Sequence, residues 1–252
     1  MKTTDNTIFI TGGTSGIGRG LAEAFHRLGN KVIIAGRRKA LLDEVTSANP
    51  GISGVTLDIT SPSDIKRVAA ELIRNFPDLN VLINNAGIMP FDDAAGTIDD
   101  DQAQRVIATN FLGPIRMTSA LIDHLKTKRR ATVIHNTSVL AYVPLATTAV
   151  YSATKAALHS YALSQRFMLR DTGVTVQEIA PPWVDTDLIK KSGDPRSMPL
   201  EAFVAETMKG IATETPEVIV DAIRAIRDNP GSGEHTLING FNAEMIANPI
   251  PT

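Results

Sequence analysis

Ile8-Phe9-Ile10-Thr11-Gly12-Gly13-Thr14-Ser15-Gly16-Ile17-Gly18 runs from an apolar, β-branched stretch into a glycine-rich turn. Leu21-Ala22-Glu23-Ala24-Phe25, a helix-forming stretch, follows within a few residues. Glycine lets a backbone lie close to a pyrophosphate, and a helix starting there offers unpaired N–H groups to its oxygens. The turn stands at the first strand–helix junction, the context that a dinucleotide-binding turn requires. Gly18-Arg19-Gly20 lacks the Lys-Ser/Thr ending of a nucleoside-triphosphate loop. The other reading of these residues is a tight turn that holds nothing.

Outward from this turn, short apolar runs alternate with longer helical stretches. Strands are predicted over 7–11, 31–35, 53–57, 81–84, 132–136, 175–179 and 235–238. Helices are predicted over 17–28, 39–48, 62–76, 98–126, 150–171, 200–210 and 216–228. Ser61-Pro62-Ser63-Asp64 and Thr215-Pro216-Glu217 read as helix starts with proline in the first turn. Such alternation makes parallel strands with right-handed crossovers and helices on both faces. The expected class is therefore α/β, a doubly wound parallel sheet of about seven strands in one domain over residues 1–252. The least regular stretch, within about 185–210, follows a strand end and reads as a substrate lid, or as an ordinary surface loop.

Composition narrows the function classes. The chain has 252 residues, 43% hydrophobic and 21% charged, with a net charge of −2. No global field draws nucleic acid or an anionic membrane. The basic run Lys126-Thr127-Lys128-Arg129-Arg130 reads as a helix C-terminus, where cations suit the helix dipole. There is no cysteine, which excludes disulfides and thiolate metal sites, and the five histidines show no ligand spacing, so no metal is expected. No stretch reads as a signal peptide or membrane span, so a cytoplasmic protein is expected.

Two further patterns carry chemistry. The second strand ends in Gly36-Arg37-Arg38, with no acid to bind a ribose 2′-hydroxyl. Arginine matches a phosphate bidentately, so Arg37 and Arg38 favour the 2′-phosphorylated cofactor, NADP(H), with NAD(H) possible. On the other reading Arg38 merely starts a helix. The second pattern is Tyr151-Ser152-Ala153-Thr154-Lys155, with Ser138 thirteen residues earlier. A four-residue spacing puts phenol and ammonium on one helix face, and an ammonium beside a phenol favours phenolate. A tyrosine pulled down toward neutrality can exchange a proton with a carbonyl or an alcohol. Alone, the pair also describes an exposed aromatic and lysine on a surface helix.

With both motifs in hand, the chain resembles the short-chain dehydrogenase/reductase family over almost its whole length. The cofactor turn is Thr11-Gly12-Gly13-Thr14-Ser15-Gly16-Ile17-Gly18, and Asn84-Asn85-Ala86-Gly87 matches the family's element after the fourth strand. The resemblance implies a catalytic set of Asn110, Ser138, Tyr151 and Lys155. It also implies a Rossmann fold and cofactor contacts from Gly12, Thr14, Ser15, Gly16, Ile17, Gly18, Asp58, Ile59, Asn85, Ala86, Gly87, Pro181, Val184 and Thr186, with Tyr151 and Lys155 again. Read by themselves, Asn110 is a helix-bending polar residue, Ser138 a strand-end cap and Asn85 a turn residue. The family's usual Pro-Gly-x-Val-x-Thr stands here as Pro181-Pro182-Trp183-Val184-Asp185-Thr186, a form typical of one bacterial branch. The second proline removes an N–H and stiffens that backbone.

The implied function is an NADP(H)-dependent oxidoreductase interconverting a ketone and a secondary alcohol, of carbonyl reductase (ketoreductase) type. In the reductive direction Tyr151 gives the proton, Ser138 holds the oxygen, Lys155 lowers the Tyr151 pKa and Asn110 holds a water. The substrate pocket is expected from Leu140, Tyr142, Leu145, Trp183 and Leu188, with Val139, Ile88, Met89, Pro90, Met198 and Phe203 nearby. These are mostly apolar, which suits a hydrophobic ketone. Lys190, Lys191 and Arg196 are the cations a closing lid would bring in. Two alternatives remain: an NAD-dependent alcohol or sugar dehydrogenase, and a cofactor-binding sensor without turnover. The resemblance further implies a homodimer or homotetramer through the two long helices, where Phe111, Leu112, Phe167 and Met168 fit an interface or the core.

Overall fold

The computed structural model describes residues 1–189, 191, 193–228 and 233–249. The elements follow in the order β1 (Thr7–Thr11), α1 (Gly16–Arg27), β2 (Lys31–Gly36), α2 (Lys39–Ala48), β3 (Ser53–Thr56), α3 (Pro62–Asn75), β4 (Leu79–Asn84), α4 (Asp100–Ile107) and α5 (Gly113–Lys126). Then come β5 (Ala131–Asn136), α6 (Ala149–Leu169), β6 (Val174–Ala180), α7 (Leu200–Ala212), β7 (Glu217–Ile219), α8 (Arg224–Arg227) and α9 (Glu234–Ala247). The strands form one seven-stranded parallel sheet in the order β3-β2-β1-β4-β5-β6-β7. The expected doubly wound fold is thus present, and the winding reverses between β1 and β4. That reversal opens a crevice beyond the carboxyl ends of these strands, where open α/β sheets bind ligands.

Strand alternation sorts the core onto the two faces of the sheet. Ile8 and Ile10 of β1 join Leu21 and Phe25 of α1 and Phe203 of α7 on one face. Phe9, between them in sequence, packs on the other with Ile65 and Val68 of α3 and Met117 and Leu121 of α5. β1 is buried along its whole length, as expected of a strand covered on both sides. The Ser61 start is as read: its side chain accepts from Asp64 N at 3.2 Å, and Pro62 lies in the first turn of α3.

Three elements differ from the sequence reading. The helix expected over 98–126 starts after Asp99, whose carboxylate caps Gln102 N at 2.9 Å, and is interrupted by a π-helical turn at Ala108–Leu112. The helix expected over 216–228 is instead the short strand β7, a 3-10 turn and the four-residue α8. Pro216 has no N–H to leave unpaired, so it opens an edge strand as readily as a helix. Its carbonyl accepts from Glu178 N at 2.9 Å, which starts the β6–β7 pairing. The seventh strand expected over 235–238 lies in α9; the sheet is already complete with β7. Among the described residues no helix is long and apolar enough to cross a membrane.

Candidate active site

The glycine turn between β1 and α1 is built to let something lie against it. Gly12 has φ +68°, and a Cβ there would sit 2.8 Å from Ala86 Cα. At Gly18 a Cβ would come within 2.3 Å of both Gly12 O and the Asn85 amide. Gly18 therefore serves the packing of the turn, while Gly12, Thr14, Ser15, Gly16 and Ile17 face a cavity of about 680 Å³. Thr11 fastens the turn to β4: its hydroxyl accepts from Asn85 N (3.0 Å) and Ala86 N (3.1 Å). Asn85 returns its amide to Thr11 O (3.0 Å) and Gly12 O (3.1 Å).

The same cavity collects nearly every residue expected at the site. Arg37, Arg38, Asp58, Ile59, Asn85, Ala86 and Gly87 line one part, and Ser138, Tyr151, Lys155, Pro181, Val184 and Thr186 another. Glycines that a Cβ would fill, a helix N-terminus and two arginines beside the end of β2 fit a dinucleotide. The arginine side chains form no ion pair among the described residues.

Ser138, Tyr151 and Lys155 are all buried, at 6%, 6% and 4% exposure. Ser138 follows β5 and caps the short turn Val139–Ala141, accepting from Leu140 N at 3.1 Å. Tyr151 and Lys155 share a face of α6, with the ammonium 5.5 Å from the centre of the phenol ring. Lys155 Nζ donates to Asn136 O at 2.7 Å, and Asn136 Nδ2 donates to Asn85 Oδ1 at 2.8 Å. A chain of hydrogen bonds therefore runs from the glycine turn through Asn85 and Asn136 to Lys155.

The electrostatics depart from the sequence reading. Burial pushes the Tyr151 phenol up to about 12, against a lowering contribution from its hydrogen bond with Ser138. Burial also drives the Lys155 ammonium down to about 8. The expectation that Lys155 pulls Tyr151 toward neutrality is not met in this arrangement. Desolvation dominates, and the ammonium spends its short hydrogen bond on a carbonyl rather than the phenol. Tyr151 is a protonated acid throughout the neutral range.

Asn110 does not line the cavity; it stands behind it, in the π-helical turn. Gly113 N bonds to Ala108 O, five residues back, which widens the helix at this point. The Asn110 side chain accepts from Ile88 N (2.9 Å) and donates to Ile88 O (2.8 Å), so it fixes the strand exit beside Gly87.

Of the expected substrate residues, Leu140, Leu145, Trp183 and Leu188 line the cavity, with Ile88, Met89 and Val139. Tyr142 does not: its ring packs against His159 and Arg227. Phe203 is a fully buried core side chain. Pro90 borders only a smaller neighbouring cavity. Met198 instead pairs with Val184, and its N donates to Trp183 O at 2.8 Å. Lys190 lies outside the described residues. Arg196 reaches the cavity wall but is engaged, donating to both Asp194 oxygens (3.0 and 2.7 Å), to Asn248 O and to Pro249 O, and stacking on Trp183.

Two groups escaped the sequence reading. Asp92 caps the N-terminus of α6, one oxygen accepting from Ala149 N (2.8 Å) and the other from Val150 N (2.9 Å). An acid eight residues into an irregular loop carries no signal that it meets a helix 57 residues on. The second is the wall formed by Ile223, Ile226, Phe241, Glu244 and Met245, supplied by the segment whose elements were misassigned.

Comparison with known proteins places the chain. The short chain dehydrogenase family matches residues 6–197. An uncharacterized oxidoreductase of Bacillus subtilis, DltE, is 38% identical over 97% of this chain and 99% of that protein. A serine 3-dehydrogenase of Rhizobium radiobacter is 33% identical over 93% of this chain and 92% of its own length. A short chain dehydrogenase from Burkholderia cenocepacia, solved in complex with NADP, superposes with a TM-score of 0.82 at 25% identity, covering 98% of this chain and 99% of that one.

Proposed function

The chain belongs to the short chain dehydrogenase family, an NAD(P)-dependent oxidoreductase acting on CH–OH or C=O groups, and from that premise we propose a carbonyl reductase that prefers NADP(H). The observation that carries the reading is the burial of Ser138, Tyr151 and Lys155 in one cavity with the glycine turn. When bound, the nicotinamide supplies or accepts the hydride. Gly12 to Ile17 would hold the pyrophosphate, Asp58 and Ile59 the adenine, and Val184 and Thr186 the carboxamide.

Tyr151 donates its proton to the carbonyl oxygen. Its raised pKa keeps that proton on the phenol at neutral pH, as an acid for the carbonyl needs. The Ser138 hydroxyl hydrogen-bonds the same oxygen and stabilises the charge that develops on it. Lys155 would orient the ribose hydroxyls, and Asn110, in its wide helical turn, would hold the water that links Lys155 to solvent. The wall around them is largely apolar and excludes bulk water from the reacting carbon.

Arg37 and Arg38 support the NADP(H) preference, since both reach the cavity beside Gly36 and neither forms an ion pair among the described residues. A homodimer or homotetramer is proposed through α5 and α6. Phe167 and Met168 are exposed at 63% and 73%, so they do not belong to the core, whereas Phe111 and Leu112 are half-buried.

The test is NADPH and NADH oxidation against aryl ketones, keto esters, diketones and sugars. NADPH-dependent reduction of an apolar ketone is expected, and Arg37→Asp should lower the NADPH-over-NADH ratio of kcat/KM at least tenfold. An unchanged ratio removes the cofactor assignment, and silence across all the carbonyls removes the reductase.

A further inference from the structure

Around Tyr142 lies a cluster of charged residues that the chemistry above does not use. Glu178, on β6, is wholly buried. One of its oxygens is 2.8 Å from His159 Nδ1, and the other accepts from Arg166 at 3.0 Å. Glu217, on β7, accepts from Arg227 through both oxygens, at 2.6 and 3.0 Å. The Arg227 guanidinium lies over the Tyr142 ring, 4.9 Å from its centre. The Tyr142 ring in turn meets His159 edge to face at 5.2 Å.

His159, Glu178 and Glu217 bring their ligand atoms within 4.8 Å of one another, as a divalent cation would need. The arginines argue for another use. Both Glu217 oxygens are taken by one guanidinium, and Glu178 is divided between Arg166 and His159. Two carboxylates balanced by two guanidiniums satisfy each other; Glu178 is buried, while Arg166, Glu217 and Arg227 are partly exposed and hold their partners at a fixed distance.

The geometry concerned is that of the cavity. Tyr142 directly follows the turn that starts at Ser138, and Leu140 of that turn lines the cavity. Ile226, beside Arg227, and Ile223 line it as well. Tyr142 and Arg227 are far apart in sequence, and their stacked contact joins these two parts of the wall.

We propose that this network is a clamp that sets the spacing between the Ser138 turn and the wall at Ile223 and Ile226. Arg227, acting through Tyr142, is then a positioning residue for substrate. The kinetic part of the test rests on the reductase reading, whereas the exchange part does not.

The experiment compares Arg227→Met, Tyr142→Leu and the double variant with the wild type, by amide hydrogen exchange and by steady-state kinetics with NADPH and a ketone that the wild type reduces. The amides of Val139, Ala141, Tyr142 and Val143, bonded to Pro181 O, Ser138 O and Val139 O, report the turn. Arg227→Met is expected to speed their exchange at least fivefold while Phe9 and Ile10 stay within twofold. KM for the ketone should rise at least fivefold with the NADPH Kd within twofold. The double variant should be no more than twofold worse than the poorer single one, because both cut the same link.

Unchanged exchange at 139–143 overturns the clamp. So does an unchanged KM in a variant that merely melts earlier, which is the signature of a structural pair. If Arg227→Met does not fold, Arg227→Lys and Tyr142→Leu carry the same measurements; Arg227→Lys keeps a cation for Glu217 but loses the flat guanidinium face, so it should move exchange and KM in the same direction. A wild type silent with every ketone sinks the reductase reading, and the exchange data still decide the clamp.

Discussion

The floor of the cavity and its C-terminal wall are built in opposite ways. The floor comes from the ends of β4 and β5 and the first turns of α6, where Ser138, Tyr151 and Lys155 are buried and hydrogen-bonded. The wall comes from Trp183, α8 and α9, elements that are short or partly exposed and are held by a few long-range ties. Arg196 reaches Asn248 O and Pro249 O, and Asn242 of α9 donates to Pro144 O at 3.0 Å. A rigid floor holds reacting atoms in place, while a wall held by a handful of side chains can be varied without disturbing them.

The largest difference between the two regions should appear at Tyr151. Tyr151→Phe removes one hydroxyl from a buried ring and leaves the glycine turn untouched. Loss of the general acid is expected to lower kcat by about 10²–10⁴, with the NADPH Kd within twofold of wild type. Turnover near the wild-type rate would show that the floor does not carry the proton transfer.

Lys155 sharpens the comparison by setting stability against function. Its pKa falls from 10.5 to about 8 on burial, a difference that corresponds to about 3 kcal/mol. The unfolded chain binds this proton more tightly than the folded one, so stability rises with pH between about 8 and 10.5 and the penalty is fully present below about 8. Lys155→Met removes the penalty but leaves Asn136 O without its partner, a loss of about 1 kcal/mol. The expected outcome is an inactive protein that is about 1–2 kcal/mol more stable at pH 7, an advantage that shrinks by pH 10. Denaturant melts at the two pH values check this, and a variant less stable at pH 7 would mean that the buried ammonium is held by more than one carbonyl.

The same contrast explains what was legible in the sequence. Every strand through β6 sits where short apolar runs, closed off by polar or glycine-rich stretches, placed it. Burial on both faces writes a continuous apolar signal, and the glycine turn and Tyr151–Lys155 are local patterns. The rest of the information was not local. Asn110 follows from resemblance, and by itself reads as a helix-bending residue, but the π turn depends on what its side chain finds beside it in the fold, here Ile88. The Tyr151 pKa was read from spacing to Lys155, whereas burial, a property of the whole fold, decides it. β7 has three residues and α9 no marked apolar face, so neither shows a period to read. Tyr142 is expected in the pocket from its position after Ser138; the side chains that it packs against instead come from α6 and α8.

The wall should answer a substitution quite differently from the floor. Phe241 projects from α9 to the cavity, only half-buried, and carries no group proposed for chemistry. Truncation to alanine removes part of a phenyl ring's apolar contact with substrate, about 1 kcal/mol at ~25 cal/mol per Å². Because that contact is the same before and during hydride transfer, the loss is uniform binding and belongs in KM. Phe241→Ala is therefore expected to raise KM for a small alkyl ketone about fivefold, with kcat within about twofold. Larger aryl ketones should lose less, since their own rings fill the vacated space. The measurement is kcat and KM across a series from alkyl to aryl ketones at saturating NADPH. A fall in kcat rather than a rise in KM would show that α9 helps to align the carbonyl with Tyr151, and the division between a fixed floor and a variable wall would have to be redrawn to include it.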